Sequence, residues 1–445
     1  MTTDPVQNRS YAIIGRTAAA IQRSVEHGVI TGALRPGDTV PSVRGLAADL
    51  EVSPSTVAAA YRELRQRGVL VSYDRSRTVI GHRPPLAVRL GPHVPAGAVD
   101  LATGNPDPAL LPPLHEPLRA ITPTHHRYGD DIADPALIEH ARAAFDRDGL
   151  PSDHLAVVGG GLDGIERVLE VYLRVGDRIA VEDPGYPGSL DLVRALGLQP
   201  VPIPVDAEGL DPDRLAEAVD RGVDAVLYVP RAQNPTGAAM SSDRATALAA
   251  VIASDPELLV IEDDHAAPIA GVAYHSPMAD RERFAVVRSV AKWLGPGLRL
   301  AVLSGDEDTV TRVLGRQRLG TGWVSQLLQQ LVVRTWKAAE GQGTLDRARD
   351  TYQARRSALI DALAAEDLIA DASSGLNAWV PVNEEVPVVQ GLAELGWAVQ
   401  AGEPFRVESR PAIRVTVAGL PSERAPDLAR DLGQVLDRRL GSRRG

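Results

Sequence analysis

Apolar residues recur along the first eighty positions with two different periods. Ile14, Ala18, Ile21, Val25 and Val29 share one stripe of a 3.6-residue repeat, which predicts a helix from Tyr11 to Gly32. Arg35-Pro36-Gly37-Asp38 is a turn, and Ser42 is placed to cap a short helix that buries Leu46, Ala47 and Leu50. After a turn at Glu51-Val52, Ser53 is a good N-cap, and Pro54 fits the first helical position, where its missing N–H costs nothing. That helix turns Val57, Tyr61 and Leu64 inward and ends at Gly68. The period then drops to two. Val69 to Tyr73 and Thr78 to Ile80 read as strands around an Asp74-Arg75-Ser76-Arg77 tip.

Helix, short helix, turn, capped helix and hairpin is the order of a winged helix-turn-helix, an α+β fold, here spanning residues 1–81. Pro84, Pro85, Pro92 and Pro95 punctuate a stretch with little periodicity, which predicts a linker over residues 82–98. From Val99 short apolar runs alternate with helical stretches. Leu155–Val158, Ile179–Val181, Ala225–Val229, Leu258–Ile261 and Phe284–Val287 are predicted strands, with a further one from Arg299 to Leu303. Strands alternating with helices imply an α/β body with a mostly parallel sheet. Residues 99–445 are expected to hold a large domain over about 125–305, an arginine-rich helical stretch to about Glu366, and a smaller α+β domain over 368–445.

Charge changes this picture. The net charge is −11, but residues 1–83 carry eleven arginines against seven acids, a surplus of +4. The rest carries 36 basic residues against 51 acidic ones, or −15. A basic head on an acidic body implies that the head meets a polyanion. The chain has no cysteine, which excludes disulfides and thiolate metal sites, and no metal is expected. No apolar run approaches a membrane span and the start has no signal-peptide core, so a cytoplasmic protein without a membrane partner is expected.

Only two lysines occur, Lys292 and Lys337, so a lysine between two apolar strands is not there for charge alone. An amine can lose its proton and form a Schiff base with an aldehyde, which a guanidinium cannot. Ser289, three residues before Lys292, and Arg299, seven after, are good phosphate ligands. An aldehyde that carries a phosphate describes pyridoxal 5'-phosphate. Gly159-Gly160-Gly161 follows a predicted strand and opens a helix, so it presents N–H groups and a positive dipole end to a phosphate.

The segment Ser289-x-x-Lys292 followed by Pro296-Gly297-x-Arg299 resembles the cofactor-lysine motif of fold-type I aminotransferases. So do Glu182-Asp183-Pro184-Gly185-Tyr186, Asn234-Pro235-Thr236-Gly237 and Glu262-Asp263-Asp264-His265. The resemblance implies that Lys292 is the catalytic lysine and that Gly160 and Gly161 meet the phosphate. Tyr186 would stack on the pyridine ring and Asn234 would donate to its phenolate oxygen. Asp263 would face the ring nitrogen, with Asp264 as the fallback. His265 stands where relatives have a tyrosine on the phenolate, and Leu162-Asp163 replaces the usual polar pair after the glycine turn. Tyr128, in Tyr128-Gly129-Asp130, matches a position that reaches the partner subunit's cofactor, which implies a homodimer. Arg414 matches the position that grips a substrate carboxylate.

Pro36-Gly37-Asp38, Pro41-Ser42-Val43-Arg44 and Ser53-Pro54-Ser55-Thr56-Val57 resemble the GntR family of bacterial repressors. That implies double-stranded operator DNA as partner. Ser53, Ser55, Thr56 and Arg62 would lie near bases, Arg44 on a phosphate, and Arg75 and Arg77 on the wing. A GntR-type reader ahead of an aminotransferase-like body resembles the MocR (GabR-like) regulators. The implied function is transcriptional regulation through a small amine or amino-acid effector sensed at the cofactor, with weak or absent transaminase turnover. The alternative is an active aminotransferase with an appended reader.

Overall fold

The structure is a computed structural model that describes residues 11–30, 33–35, 37–66, 69–73, 77–80, 91–92, 94–123, 125–278 and 281–442. The chain divides into two compact units, one made of Met1–Leu90 with Gly197–Gln199 and the other of Gly91–Leu196 with Pro200–Gly445.

In the first unit α1 (Ala18–Ile30), α2 (Val43–Asp49) and α3 (Pro54–Gln66) precede a hairpin of β1 (Leu70–Tyr73) and β2 (Arg77–Ile80). The hairpin is antiparallel with Leu70 opposite Ile80, and Thr39 adds an antiparallel bridge to Val79. Caps set the helix starts, each satisfying an otherwise orphaned N–H. Ser42 Oγ accepts from Gly45 N at 3.0 Å and Ser53 Oγ accepts from Thr56 N at 3.2 Å. The first helix begins later than its apolar stripe predicts. Thr17 Oγ1 caps it by accepting from Ala20 N, and Gly15 at φ +131° breaks the backbone before it. Ile14 is consequently 66% exposed and Ile13 is buried in its place. Ile21, Val25, Leu46, Val57, Tyr61, Leu64, Leu70 and Ile80 form the core, each aliphatic side chain contributing about 1.5–3 kcal/mol. The Tyr61 hydroxyl is satisfied by donating to Pro41 O at 2.8 Å.

The second unit begins with β3 (Val99–Leu101), α4 (His115–Arg119) and α5 (Pro135–Arg147). There follow β4 (His154–Val158), α6 (Gly161–Tyr172), β5 (Arg178–Asp183), α7 (Pro187–Ala195), β6 (Gln199–Asp206), β7 (Gly209–Leu210) and α8 (Pro212–Asp220). Next come β8 (Ala225–Tyr228), α9 (Ser242–Ala253), β9 (Leu259–Asp263), β10 (Phe284–Ser289), β11 (Ala301–Gly305), α10 (Glu307–Arg318), α11 (Gln326–Gly341) and α12 (Thr344–Ala365). The chain ends in β12 (Asn377–Pro381), α13 (Glu385–Glu394), β13 (Trp397–Ala401), β14 (Ala412–Thr416) and α14 (Ala425–Ser442).

Eight strands form the large sheet in the order β4-β11-β10-β9-β8-β5-β6-β7. From β5 through β8 and β9 to β10 the pairing is parallel, while β11 runs against both β10 and β4. The central strands are buried along their whole length, as a sheet covered on both faces requires. A second sheet, β12-β14-β13-β3, has its own apolar core. The smaller sheet therefore takes its edge strand from the start of the unit, which the run from Leu368 onward does not include. Among the described residues no helix is long and apolar enough to cross a membrane.

Candidate functional site

The predicted cofactor residues follow the C-terminal ends of successive strands of the large sheet. Gly160 and Gly161 come after β4, Tyr186 after β5, Asn234 after β8, Asp263 and His265 at the end of β9, and Lys292 after β10. Open sheets of this kind present their ligand sites at those ends.

Lys292 is held by its neighbours. Trp293 is 2% exposed, donates its indole N–H to Ser289 O at 2.8 Å, and meets Trp336 edge to face at 4.8 Å. Lys292 Nζ donates to Gly104 O at 2.6 Å. Burial pulls its ammonium down to about 8; the Arg414 charge adds to this and Asp263 opposes it. A lysine so placed has an appreciable amine fraction near neutral pH.

Asp263 and Asp264 part company. Asp264 is fully buried between Arg231 and Arg288, at 2.9 Å from Arg231 Nε and 2.9 Å from Arg288 Nε. Burial alone would raise its carboxyl, but the two guanidinium groups hold it below the usual carboxylate range. Asp264 is thus committed to the core, which removes it as the fallback ring partner. Asp263 Oδ1 is buried and accepts no hydrogen bond among the described residues. Burial, with the Asp264 charge, pushes its carboxyl up to about 7 against the opposing charge of Lys292. His265 next to it is brought down to about 4, chiefly by burial and then by Lys292, so it is a neutral imidazole.

The glycine turn meets the two predicted phosphate ligands. Gly160 has φ +117°, and a Cβ there would lie 2.9 Å from Arg299 Nη2. A Cβ on Gly161 would lie 3.6 Å from Ser289 Cβ. Ser289 closes β10 instead of lying in the loop, because its register partner Ala301 keeps it in the sheet. Asp163 does not face outward as a ligand. Its Oδ2 accepts from Gly159 N at 2.7 Å and its carboxylate pairs with Arg167 at 2.8 Å, so it braces the turn from behind.

Arg414, on β14, is buried, and among the described residues no carboxylate is hydrogen-bonded to its guanidinium. Nη1 donates to Asn234 Oδ1 at 3.2 Å, Nη2 donates to Ala102 O, and Nε has no partner among the described residues. Its guanidinium lies 4.9 Å over the Phe405 ring. Burial lowers it to about 10. Asn234 spends its oxygen on Arg414, so its amide N–H groups are the donors left for a ligand. Tyr186 precedes α7 and is 38% exposed, with burial the main cause of its raised hydroxyl. Tyr128 is 94% exposed and touches Trp323 edge to face at 5.7 Å.

In the first unit Ser53, Ser55, Arg44 and Arg62 are exposed and Thr56 is half-buried. Ser53 Oγ lies 2.8 Å from both Ser55 Oγ and Thr56 Oγ1, so the three hydroxyls form one cluster at the start of α3. Arg75 lies outside the described residues, as does the side chain of Arg77.

Three contacts were not legible in the sequence. Gly104 O accepts from Lys292 and Ala102 O from Arg414. Asp183 accepts from the N–H groups of Val407, Glu408 and Ser409 at 2.9, 2.7 and 2.8 Å, tying the loop after Phe405 to β5. No spacing rule reveals backbone acceptors; Thr103-Gly104-Asn105-Pro106 shows only a turn.

The fold and these groups define an aminotransferase-type body behind a helix-turn-helix reader. The aminotransferase class I and II family profile matches residues 96–432, and that of the bacterial regulatory proteins of the gntR family matches residues 17–80. The chain belongs to the GntR-type regulators that carry an aminotransferase class I and II domain, the MocR arrangement. It is 39% identical over 434 residues to the vitamin B6 salvage pathway transcriptional repressor PtsJ of Salmonella typhimurium, covering 96% of this chain and 100% of that protein. It is 30% identical over 266 residues to the pyridoxine biosynthesis transcriptional regulator PdxR of Corynebacterium glutamicum, covering 55% and 54% of the two chains. Among solved structures, LysN of Thermus thermophilus, an α-aminoadipate aminotransferase complexed with N-(5'-phosphopyridoxyl)-L-leucine, matches the fold. Its TM-score is 0.69 at 22% identity, covering 78% of this chain and 94% of that one.

Proposed function

We propose that this protein is a dimeric, cytoplasmic transcriptional regulator that binds operator DNA through residues 1–81 and senses a small amine or amino acid through pyridoxal 5'-phosphate held by residues 99–445. Residues 82–98 are its linker. The observation that carries this reading is the convergence of half-buried Lys292 and buried Arg414, two cations with no carboxylate bonded to them among the described residues, with the unpartnered oxygen of Asp263. A buried charge left without its partner is costly, so such a set is kept for a ligand.

The residues fit the cofactor. Lys292 is the attachment point. The amides of Gly160 and Gly161, with Ser289 and Arg299, are the donors for a phosphate. Asp263 Oδ1, buried and without a partner among the described residues, would accept an N–H from a ring nitrogen, whose proton its carboxylate would keep in place. Asn234 and neutral His265 are donors for the phenolic oxygen. Tyr186 supplies an aromatic face, and Tyr128 is exposed enough to serve a second subunit. When bound, the cofactor supplies an electrophilic carbon for amines and an electron sink. Arg414 then grips the effector's carboxylate with a two-pronged fork, and Phe405 backs the guanidinium.

PtsJ and PdxR are named for vitamin B6 salvage and pyridoxine biosynthesis, which supports pyridoxal 5'-phosphate itself as a candidate effector beside amino acids. In the head, Arg44 is assigned to a phosphate, Arg75 and Arg77 to the wing, and Ser53, Ser55, Thr56 and Arg62 to the groove. The test is one preparation in three assays. Borohydride reduction with pyridoxal 5'-phosphate should label Lys292 and not Lys337, and Lys292→Ala should abolish the label. A footprint upstream of its own gene should show protection that weakens as salt rises. Transaminase turnover should be slow or absent. The intact set of Lys292, Asp263, Asn234 and Arg414 favours the second reading, an active aminotransferase; rapid turnover with no protected DNA would establish it.

A further inference from the structure

We infer that the stretch Val99–Asn105 is the strap through which occupancy of the site acts on the linker to the DNA reader; this rests on the cofactor-site reading above. The strap is the first regular element after the linker, and it ends inside the site. β3 is only three residues long and lies at the edge of the small sheet, paired in parallel with β13 as Val99↔Trp397, Asp100↔Ala398 and Leu101↔Val399. Directly after it, the carbonyl of Ala102 accepts from Arg414 and that of Gly104 accepts from Lys292. Two residues apart, two backbone oxygens therefore engage Lys292 and Arg414.

The strap is stiff between those ends. Asp100 Oδ1 accepts from the N–H groups of Ala102 and Thr103 at 3.0 Å each, and its Oδ2 accepts from Thr103 Oγ1 at 2.6 Å. Gly104 sits at φ +69°, and a Cβ there would lie 3.0 Å from Arg414 Nη2. A displacement at Gly104 is thus passed to Asp100 and so to an edge strand held by one neighbour.

Ligand chemistry disturbs both contacts. When Lys292 bonds to an aldehyde carbon, the aldehyde oxygen leaves as water with two of the nitrogen's three protons, so the donor to Gly104 O is lost or redirected. A carboxylate that takes the Arg414 fork competes with Ala102 O for the same N–H groups. A ligand shifts an equilibrium only through a difference in its interactions with the two states, and the two carbonyls supply that difference. Coupling is reciprocal, so DNA should change cofactor affinity by the same factor that cofactor changes DNA affinity.

The test uses the full chain, pyridoxal 5'-phosphate as the probe, and a duplex covering the region upstream of its own gene. Wild type should show a cofactor-dependent change in amide exchange over residues 99–107, and a ratio of DNA affinities with and without cofactor of about 5- to 150-fold in either direction. Asp100→Ala loosens the strap but also removes a charge that favours the Arg414 cation; Thr103→Val loosens it by removing only the hydroxyl that donates to Asp100. In each, the cofactor should still bind by absorbance and be fixed at Lys292 by borohydride, while the affinity ratio falls toward one. Undiminished ratios in both variants, or unchanged exchange over 99–107 on cofactor binding, would overturn the strap and leave the site standing. Failure of wild type to take up the cofactor at Lys292 would overturn both.

Discussion

Two adjacent carboxylates at the end of β9 lead into two regions built on opposite principles. Around Asp264, Arg231 and Arg288 are both shared with Asp148, which Arg288 Nη2 reaches at 2.6 Å and Arg231 Nη2 at 3.0 Å. Every charge there meets an opposite one. Around Asp263, among the described residues, the nearby Lys292 and Arg414 bond only to carbonyl and amide oxygens, and the carboxylate has an oxygen with no partner. The same residue types thus build an anchor in one place and a receptive site in the other. What separates them is whether the opposite charges are in contact.

The comparison breaks most sharply at the anchor. Asp264→Ala leaves two buried guanidinium groups with one fewer anion, and the unfolding free energy in urea should fall by about 3–5 kcal/mol. A loss below about 1 kcal/mol would mean that Asp264 is no anchor. On the receptive side the expected change is in binding, with stability little altered. Arg414→Ala should weaken the spectral response of cofactor-loaded protein to amino acids by about 2–5 kcal/mol, with cofactor uptake retained. An equal response from wild type and variant would assign carboxylate recognition elsewhere.

A third test uses the buried carboxyls that lack any cation. Glu182 is raised to about 8, mainly by burial, with Val229 N and Gln233 Nε2 as partial compensation. Its folded value lies above the ordinary 4.5, so its contribution is fully present below that pH and is lost as pH rises through about 8. Melting temperature should therefore decline between pH 5 and 8, and Glu182→Gln should flatten the decline, a difference of about 1–3 kcal/mol at the alkaline end. A parallel decline in both proteins would put the effect on another group. The smallest effect is kinetic. The rate at which added pyridoxal 5'-phosphate is fixed to Lys292 should rise with pH, reach half its maximum at about 8, where half the lysine is free amine, and level off above that. A rise continuing toward 10 would show an unperturbed lysine.

Much of this was legible in the sequence, because caps, turns and strand-end signatures are local. Ser42 and Ser53 cap their helices, and the glycine turn at Gly160 opens α6, as short-range rules assign. Ile14 misled because periodicity continues through Gly15, while the helix waits for the Thr17 cap. The edge strand Val99–Leu101 was invisible as part of the small sheet, since three residues carry no period and the partner lies far along the chain. The division of labour between Asp263 and Asp264 was likewise unreadable. It depends on Arg231 and Arg288, which come from other segments and look in sequence like any other arginines.

That edge strand also sets a timetable for synthesis. Among the described residues the reader's core runs from Ile13 to Ile80, with Tyr11 packed against it, so it is made early on the ribosome. Val99, leaving the ribosome soon after, pairs with Trp397, which is made nearly three hundred residues later. At ~5–20 residues per second the gap is on the order of 15–60 s. For that interval a finished DNA reader is attached to a body that has no closed small sheet. A nascent chain thus carries a folded helix-turn-helix reader before the second sheet of its body can close.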